Sequence, residues 1–257
     1  GMEIGGQLTD MAWKRGVIWS NLYGGISADE GTLSVSNSII HALSNTYIYA
    51  VGLGVIHANF NCLWKEGQVR PMRDTYRSVD FANLKEWQEN KNSDAFSVLI
   101  DPLLGNQAAG DFHLKSQAGR YSSGSFVLDP VTSWAIDAGG FSDDFSGEPA
   151  PNGGRINLGV EGNTAEASKS LTNNPALYTA SLNDGGTVGN WQTLYWFARG
   201  MSSTNRLRLD YQANDEAPWQ TIATDLIPTQ QGYLWHPTNP PSPIARWRVM
   251  DQANTNI

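Results

Sequence analysis

A short phrase recurs in the first 64 residues, an Asn set beside a brief apolar run. It appears as WSNLYGG (residues 19–25), VSNSIIHA (35–42) and NFNCLW (59–64). Asn37-Ser-Ile-Ile and Asn61-Cys-Leu-Trp lie 24 positions apart. Self-similarity at such a period is the mark of a solenoid, whose coils bury their faces only by stacking on one another. Stacked Asn side chains would then bond each other in a column. The alternative is three unrelated strands of a sandwich.

Residues 80–90 break the pattern. Asp80 is an N-cap candidate, and Phe81, Leu84 and Trp87 have helical spacing, so a short amphipathic helix is expected on the side of the stack, with Trp87 in the core. Strands are expected again at 97–104, stopped by Pro102, then at 111–121 with a turn at Ala118-Gly119, at 133–140 and at 155–159. The stretch 149–170, PAPNGGRINLGVEGNTAEASKS, carries two Gly-rich turns and little bulk, and separates two kinds of β structure. From Ala176 on, strands lengthen and alternate with period two. Leu207, Leu209 and Tyr211 face one way and Arg206, Arg208 and Asp210 the other; Ala245, Trp247 and Val249 oppose Arg246 and Arg248. About six such strands, with turn clusters such as the one at 238–241, predict an antiparallel immunoglobulin-like sandwich. The expected domains are therefore 1–172 and 173–257; a closing strand of the second would begin at Ile257, so either that strand is missing or the edge is capped otherwise.

Charged residues make up only 16% of the chain, and Gly is abundant at 26. Both suit turn-dense β architecture. A net charge of −8 repels a phosphate backbone and argues against nucleic acid as a partner. One cysteine, Cys62, permits no disulfide framework. No apolar run is long enough to span a bilayer. Gly1-Met2 reads as a scar of tag removal, and the abrupt entry at MEIGGQLTD as an internal piece of a longer protein.

Three segments, DPLLGNQAAGDFHLKSQAGRY, SWAIDAGG and EPAPNGGRINLGVEGNTAEASKS, resemble the C-terminal coils of bacterial right-handed parallel β-helix proteins of the pectate-lyase-like superfamily. The resemblance is good over residues 59–170 and loose over 13–58. This chain has Ala135 where that family usually has Cys, and Val160-Glu161 where it usually has Ala-Tyr. The segments LRLDYQAND, PWQTIATDL, GYLWHP and ARWRVMD are similar to the fibronectin-III-like sandwich often appended to such helices. The resemblance implies an all-β chain, a right-handed parallel β-helix followed by a β-sandwich, from a secreted or cell-surface protein that handles polysaccharide. It assigns no catalytic residue here, because the groove of such lyases usually lies on middle coils, which would precede Gly1.

Candidate chemistry is sparse. Asp137, Asp143, Asp144 and Glu148 cluster around a Gly-rich loop and offer hard oxygen ligands suited to Ca2+, though a solvated loop has the same composition. Lys115, Arg120 and Arg155 are candidates for the base or the carboxylate-neutralising cation of a lyase, with no partner fixed by spacing; Arg155 also suits closure of the last coil. His41 and His57 each follow a strand core and could meet on adjacent coils, but lack a third ligand. Among ten tryptophans, Trp191 and Trp219 stand next to turns and are candidates to stack on sugar rings, while Trp235 and Trp247 lie in core phase. The reading is a polysaccharide-associated scaffold and carbohydrate-binding fragment, not itself catalytic. The alternatives are a polysaccharide lyase or glycoside hydrolase with its groove on the coils, and a structural adhesin or stalk.

Overall fold

The computed structural model describes residues 2–4, 10–21, 24–43, 46–65, 71–172, 175–238 and 242–254. The expected turn at 238–241 beyond Thr238, the boundary at 172/173 and the strand at Ile257 lie outside or at the edge of those residues. Among the described residues the chain is all-β apart from one α-helix and two 3-10 turns, with parallel and antiparallel sheets and no closed barrel. No helix among them is long and apolar enough to cross a membrane.

The chain divides into two compact units, Gly1–Thr172 with Leu182–Gly186, and Asn173–Ser181 with Thr187–Ile257. The first begins with a succession of short strands: β1 (Met2–Ile4), β2 (Asp10–Lys14), β3 (Val17–Asn21), β4 (Ile26–Ala28), β5 (Thr32–Ser36), β6 (Ile39–Ala42), β7 (Tyr49–Val51), β8 (Val55–Asn59) and β9 (Cys62–Lys65). Then come β10 (Met72–Asp74), β11 (Val79–Phe81), helix α1 (Leu84–Lys91) and β12 (Val98–Leu99). Through β10, every third strand pairs in parallel. The sheets are β1-β4-β7-β10, with β11 antiparallel at its edge, then β2-β5-β8, and β3-β6-β9-β12.

Between β4–β6 and β7–β9 the register is 23 residues, with Ile26 facing Tyr49, Thr32 facing Val55 and Ile39 facing Cys62; one layer earlier Met2 faces Ile26 at 24, and Asp10 faces Thr32 and Val17 faces Ile39 at 22. The local register of 23 corrects the spacing of 24 and explains what the Asn signal meant. Asn37 aligns with Phe60, and Asn61 with Ser38. Arg15, Asn37 and Phe60 occupy the same corner between sheets, each left-handed, at φ of 56°, 53° and 55°. Asn tolerates that conformation better than most residues. The expected Asn column does not form. Asn61, fully buried, accepts from the Ser38 amide at 3.0 Å and donates to the Val35 carbonyl at 3.1 Å. Asn37 bonds instead to Asp143 and to the Gly140 amide.

Between the sheets, side chains stack in ladders: Leu33 on Ile56, Val35 on Ala58, Ile40 on Leu63. Burying each such aliphatic side chain contributes about 1.5–3 kcal/mol. β6 is buried on both faces: on its outer side Gly159 packs at Ile39 and Trp19 stacks on His41. Gly159 donates to the Asn37 carbonyl at 2.9 Å, with φ of +93°, and an added Cβ there would meet the Ile39 side chain at 2.9 Å. The strands expected at 133–140 and 155–159 are absent; both segments are turns and extended chain. Their amides find side-chain acceptors in place of a full ladder: the Asp137 amide bonds Asn157, and the Asn157 amide bonds Glu148.

α1 is capped by Asn83, whose side chain accepts from the Glu86 amide at 3.0 Å. Asp80, the expected cap, lies in β11, paired to Arg73 at 2.7 Å. Trp87 is fully buried against Tyr49 and Phe81, as its spacing predicts. Two hairpins follow, β13 (Leu104–Asn106) with β14 (Asp111–Leu114) and β15 (Arg120–Ser122) with β16 (Ser125–Val127).

The second unit holds β17 (Ala176–Thr179), β18 (Gln192–Arg199), β19 (Leu207–Gln212), β20 (Gln220–Leu226), β21 (Gly232–Trp235) and β22 (Arg246–Asp251). They form two antiparallel sheets, β17-β18-β21 and β20-β19-β22. Leu207, Leu209 and Tyr211 are buried as their alternation predicts, and Trp196 is fully enclosed. Asp210, on the opposite face, is also buried, at 1% exposure. Arg208 and Arg248 both clamp its carboxylate, at 2.9 and 3.0 Å.

Candidate functional site

The antiparallel register of the second unit assembles an aromatic groove. Gln192 faces Trp235 across β18 and β21, so Trp191, one step before the strand, comes beside His236, with ring centroids 4.8 Å apart. On β21 the period-two rule puts Tyr233 and Trp235 on one face and Leu234 on the other. Trp235 meets Tyr211 of β19 at 5.6 Å. Together Trp191, Tyr211, Tyr233, Trp235 and His236 line a cavity of about 400 Å³. That volume lies within the roughly 300–1,000 Å³ of small-ligand sites. Gln220, Thr221 and Thr238 add amide and hydroxyl groups to the lining, and among the described residues no Asp, Glu, Lys or Arg belongs to it. Trp191 is 62% exposed, whereas Tyr211 is 6% exposed. A broad ring open to solvent beside the buried Tyr211 and the half-buried Tyr233 and Trp235 can take the apolar face of a flat polar ligand, while hydroxyls and amides bond its edge.

Trp219 is not part of this groove. The Arg248 guanidinium lies over its ring at 4.1 Å, so Trp219 extends the clamp on Asp210. Trp235 is half-buried in the groove wall, where its strand phase suggested core. Trp247 donates its indole N–H to the Ser181 carbonyl at 3.1 Å.

In the first unit the four acidic candidates each hold local structure. Asp137 accepts from the Gly153 amide and the Ser170 hydroxyl. Asp143 accepts from Asn37, and Asp144 from the Ser146 amide and Asn163. Glu148 accepts from the amides of Asn157 and Asn163, and burial, with Asp137 nearby, pushes its carboxyl up to about 7. Arg120 is held by Asp111 at 2.6 Å and Asp129 at 3.0 Å. Arg155 donates to the Gly139 carbonyl and lies over Phe141; burial lowers its guanidinium to about 10. Lys115 joins the structure through its backbone, to Leu103 and Ser133. His41 and His57 lie in different sheets. His41 is buried, stacked on Trp19 at 4.2 Å, and accepts from the Ser20 amide. His57 is exposed on β8, in a polar hollow with Ser34, Asn59 and Ser93.

Residues 4–139 match a family described as disaggregatase related, a span of just over half the chain that covers the three parallel sheets. No curated protein and no solved structure matches.

Proposed function

The chain belongs to the disaggregatase-related family, and we propose that it is a polysaccharide-associated surface or secreted scaffold whose second unit binds carbohydrate. The aromatic groove built on Trp191, Trp235, Tyr233 and Tyr211 carries this reading. Its lining without acids or bases favours a neutral glycan over a uronate polymer, because a buried carboxylate would find no cation there. The first unit reads as coils of a right-handed parallel β-helix of the pectate-lyase-like kind, supported by parallel pairing of every third strand through β10 at offsets of 22 to 24 residues. The second reads as a fibronectin-III-like sandwich. Trp191 belongs to the ligand site, and Trp219 serves the fold.

Affinity electrophoresis in gels containing xylan, dextran, polygalacturonate or alginate tests this. The full chain should be retarded by at least one neutral polymer. Trp191→Ala should weaken that binding about tenfold, equivalent to ~1.4 kcal/mol, while Trp219→Ala leaves it unchanged. No retardation by any polymer, or equal retardation of the Trp191 variant, refutes the assignment. A second reading, a polysaccharide-cleaving enzyme, is compatible with a family described as disaggregatase related. New reducing ends or unsaturated sugars released from these polymers would select it.

A further inference from the structure

A second cluster, in the first unit, has the composition of a metal centre. His113 of β14, Glu161 and Glu166 bring their ligand atoms within 4.8 Å of one another, and among the described residues no other three such groups do so. The His113 ring is held in place from behind. Its Nδ1 lies 2.8 Å from Asp111 Oδ1, and Asp111 is gripped by Arg120 at 2.6 Å. Arg120 in turn makes a two-pronged contact to Asp129. Packing leaves no slack in this chain of contacts: a Cβ on Gly105 would lie 2.5 Å from the Asp111 carboxylate.

A carboxylate on Nδ1 fixes the proton there and leaves the lone pair on Nε2, the usual arrangement behind a metal-bound histidine. Nε2 is shielded from solvent and makes no hydrogen bond. It points at Glu166 Oε2, 3.8 Å away, and Glu161 Oε1, 4.0 Å away. Both distances are too long for hydrogen bonds. They exceed by a few tenths of an ångström the roughly 3.4 Å edge of a tetrahedron with 2.0–2.2 Å bonds. Glu161 and Glu166 are 29% and 49% exposed, so they can close that gap.

We infer that His113, Glu161 and Glu166 bind a first-row divalent transition cation, Zn2+ or Mn2+, with the remaining coordination supplied by water. One imidazole and two carboxylates suit such a borderline ion better than Ca2+, which takes six to eight oxygens. The cation ties residues 161–166 to β14.

Isothermal titration of the full chain with zinc chloride, after EDTA treatment and dialysis, reads this site directly. One equivalent should bind. Glu161→Gln and Glu166→Gln, both on partly exposed side chains, should each weaken binding at least tenfold with unchanged far-UV circular dichroism. Asp111→Asn, which alters the support of the ring and not a ligand atom, should weaken it 10- to 100-fold. A cobalt-loaded sample should show visible absorption that the Glu166 variant lacks. No zinc binding by the wild type, or undiminished binding by both Glu variants, overturns the inference.

Discussion

The sharpest consequence of the parallel-sheet unit concerns Asp94. Its carboxylate lies inside the protein, 1% exposed. It accepts from the Trp87 indole at 3.0 Å and from the Ser97 hydroxyl. Its backbone amide donates to Ala58, and its carbonyl accepts from Gln88. It thereby fastens α1 to β8. Burial outweighs these hydrogen bonds and holds the carboxyl at about 6, against 3.8 in the unfolded chain. Between those values the folded protein keeps a proton that the unfolded chain has released. Stability therefore falls as pH rises through that window and levels off above about 6. A carboxyl raised from 3.8 to about 6 makes this loss about 3 kcal/mol.

Asp94→Asn cannot ionise. Its single carbonyl can serve only one of the two donors, and the orphaned one costs about 1–3 kcal/mol. The variant should be less stable than wild type at pH 4 and equal or more stable at pH 7. The difference between them should move by about 3 kcal/mol across the window. Urea unfolding followed by tryptophan fluorescence at each pH measures it, and other titrating groups cancel in the difference. A difference that stays flat from pH 4 to pH 7 would refute the reasoning.

Two further perturbations probe local structure. Asn83→Ala removes the cap of α1 and should lower stability by about 0.5–2 kcal/mol; Asp80→Asn, away from the cap, should leave helix protection in hydrogen exchange unchanged. Gly25→Ala would press a Cβ against the Ile48 carbonyl and to 2.8 Å from Ile40. The coil must then shift, costing about 1–3 kcal/mol, visible as a lower urea midpoint with the same slope.

Stacked strands are legible in the spacing of Asn37 and Asn61, because the turns between successive parallel strands face the same demand. That spacing exceeds the local register of 23 by one because the two Asn do different tasks: one turns the corner, the other bonds Ser38 and Val35. The helix is visible from Phe81, Leu84 and Trp87, and Asn83-x-x-Glu86 is a better capping signal than Asp80. Residues 133–140 and 155–159 look like strands because their apolar residues are indeed buried. What holds them there is side-chain bonding to Asn37, Glu148 and Asn157, which no local pattern encodes. Trp191 stands out by its place beside a turn. Trp235 does not, because period two tells which face a residue takes and not whether the sheet continues over it. His113, Glu161 and Glu166 are separated by 48 and 5 positions and converge only through folding.

The groove itself is best tested by the indole N–H resonances of the 15N-labelled chain during titration with soluble xylan and dextran oligosaccharides. The Trp191 and Trp235 signals should shift together and saturably with a neutral oligosaccharide, while the enclosed Trp196 signal stays in place. Shifts confined to Trp219 or to tryptophans of the first unit, or no shift with any oligosaccharide, would rule the groove out as a carbohydrate site.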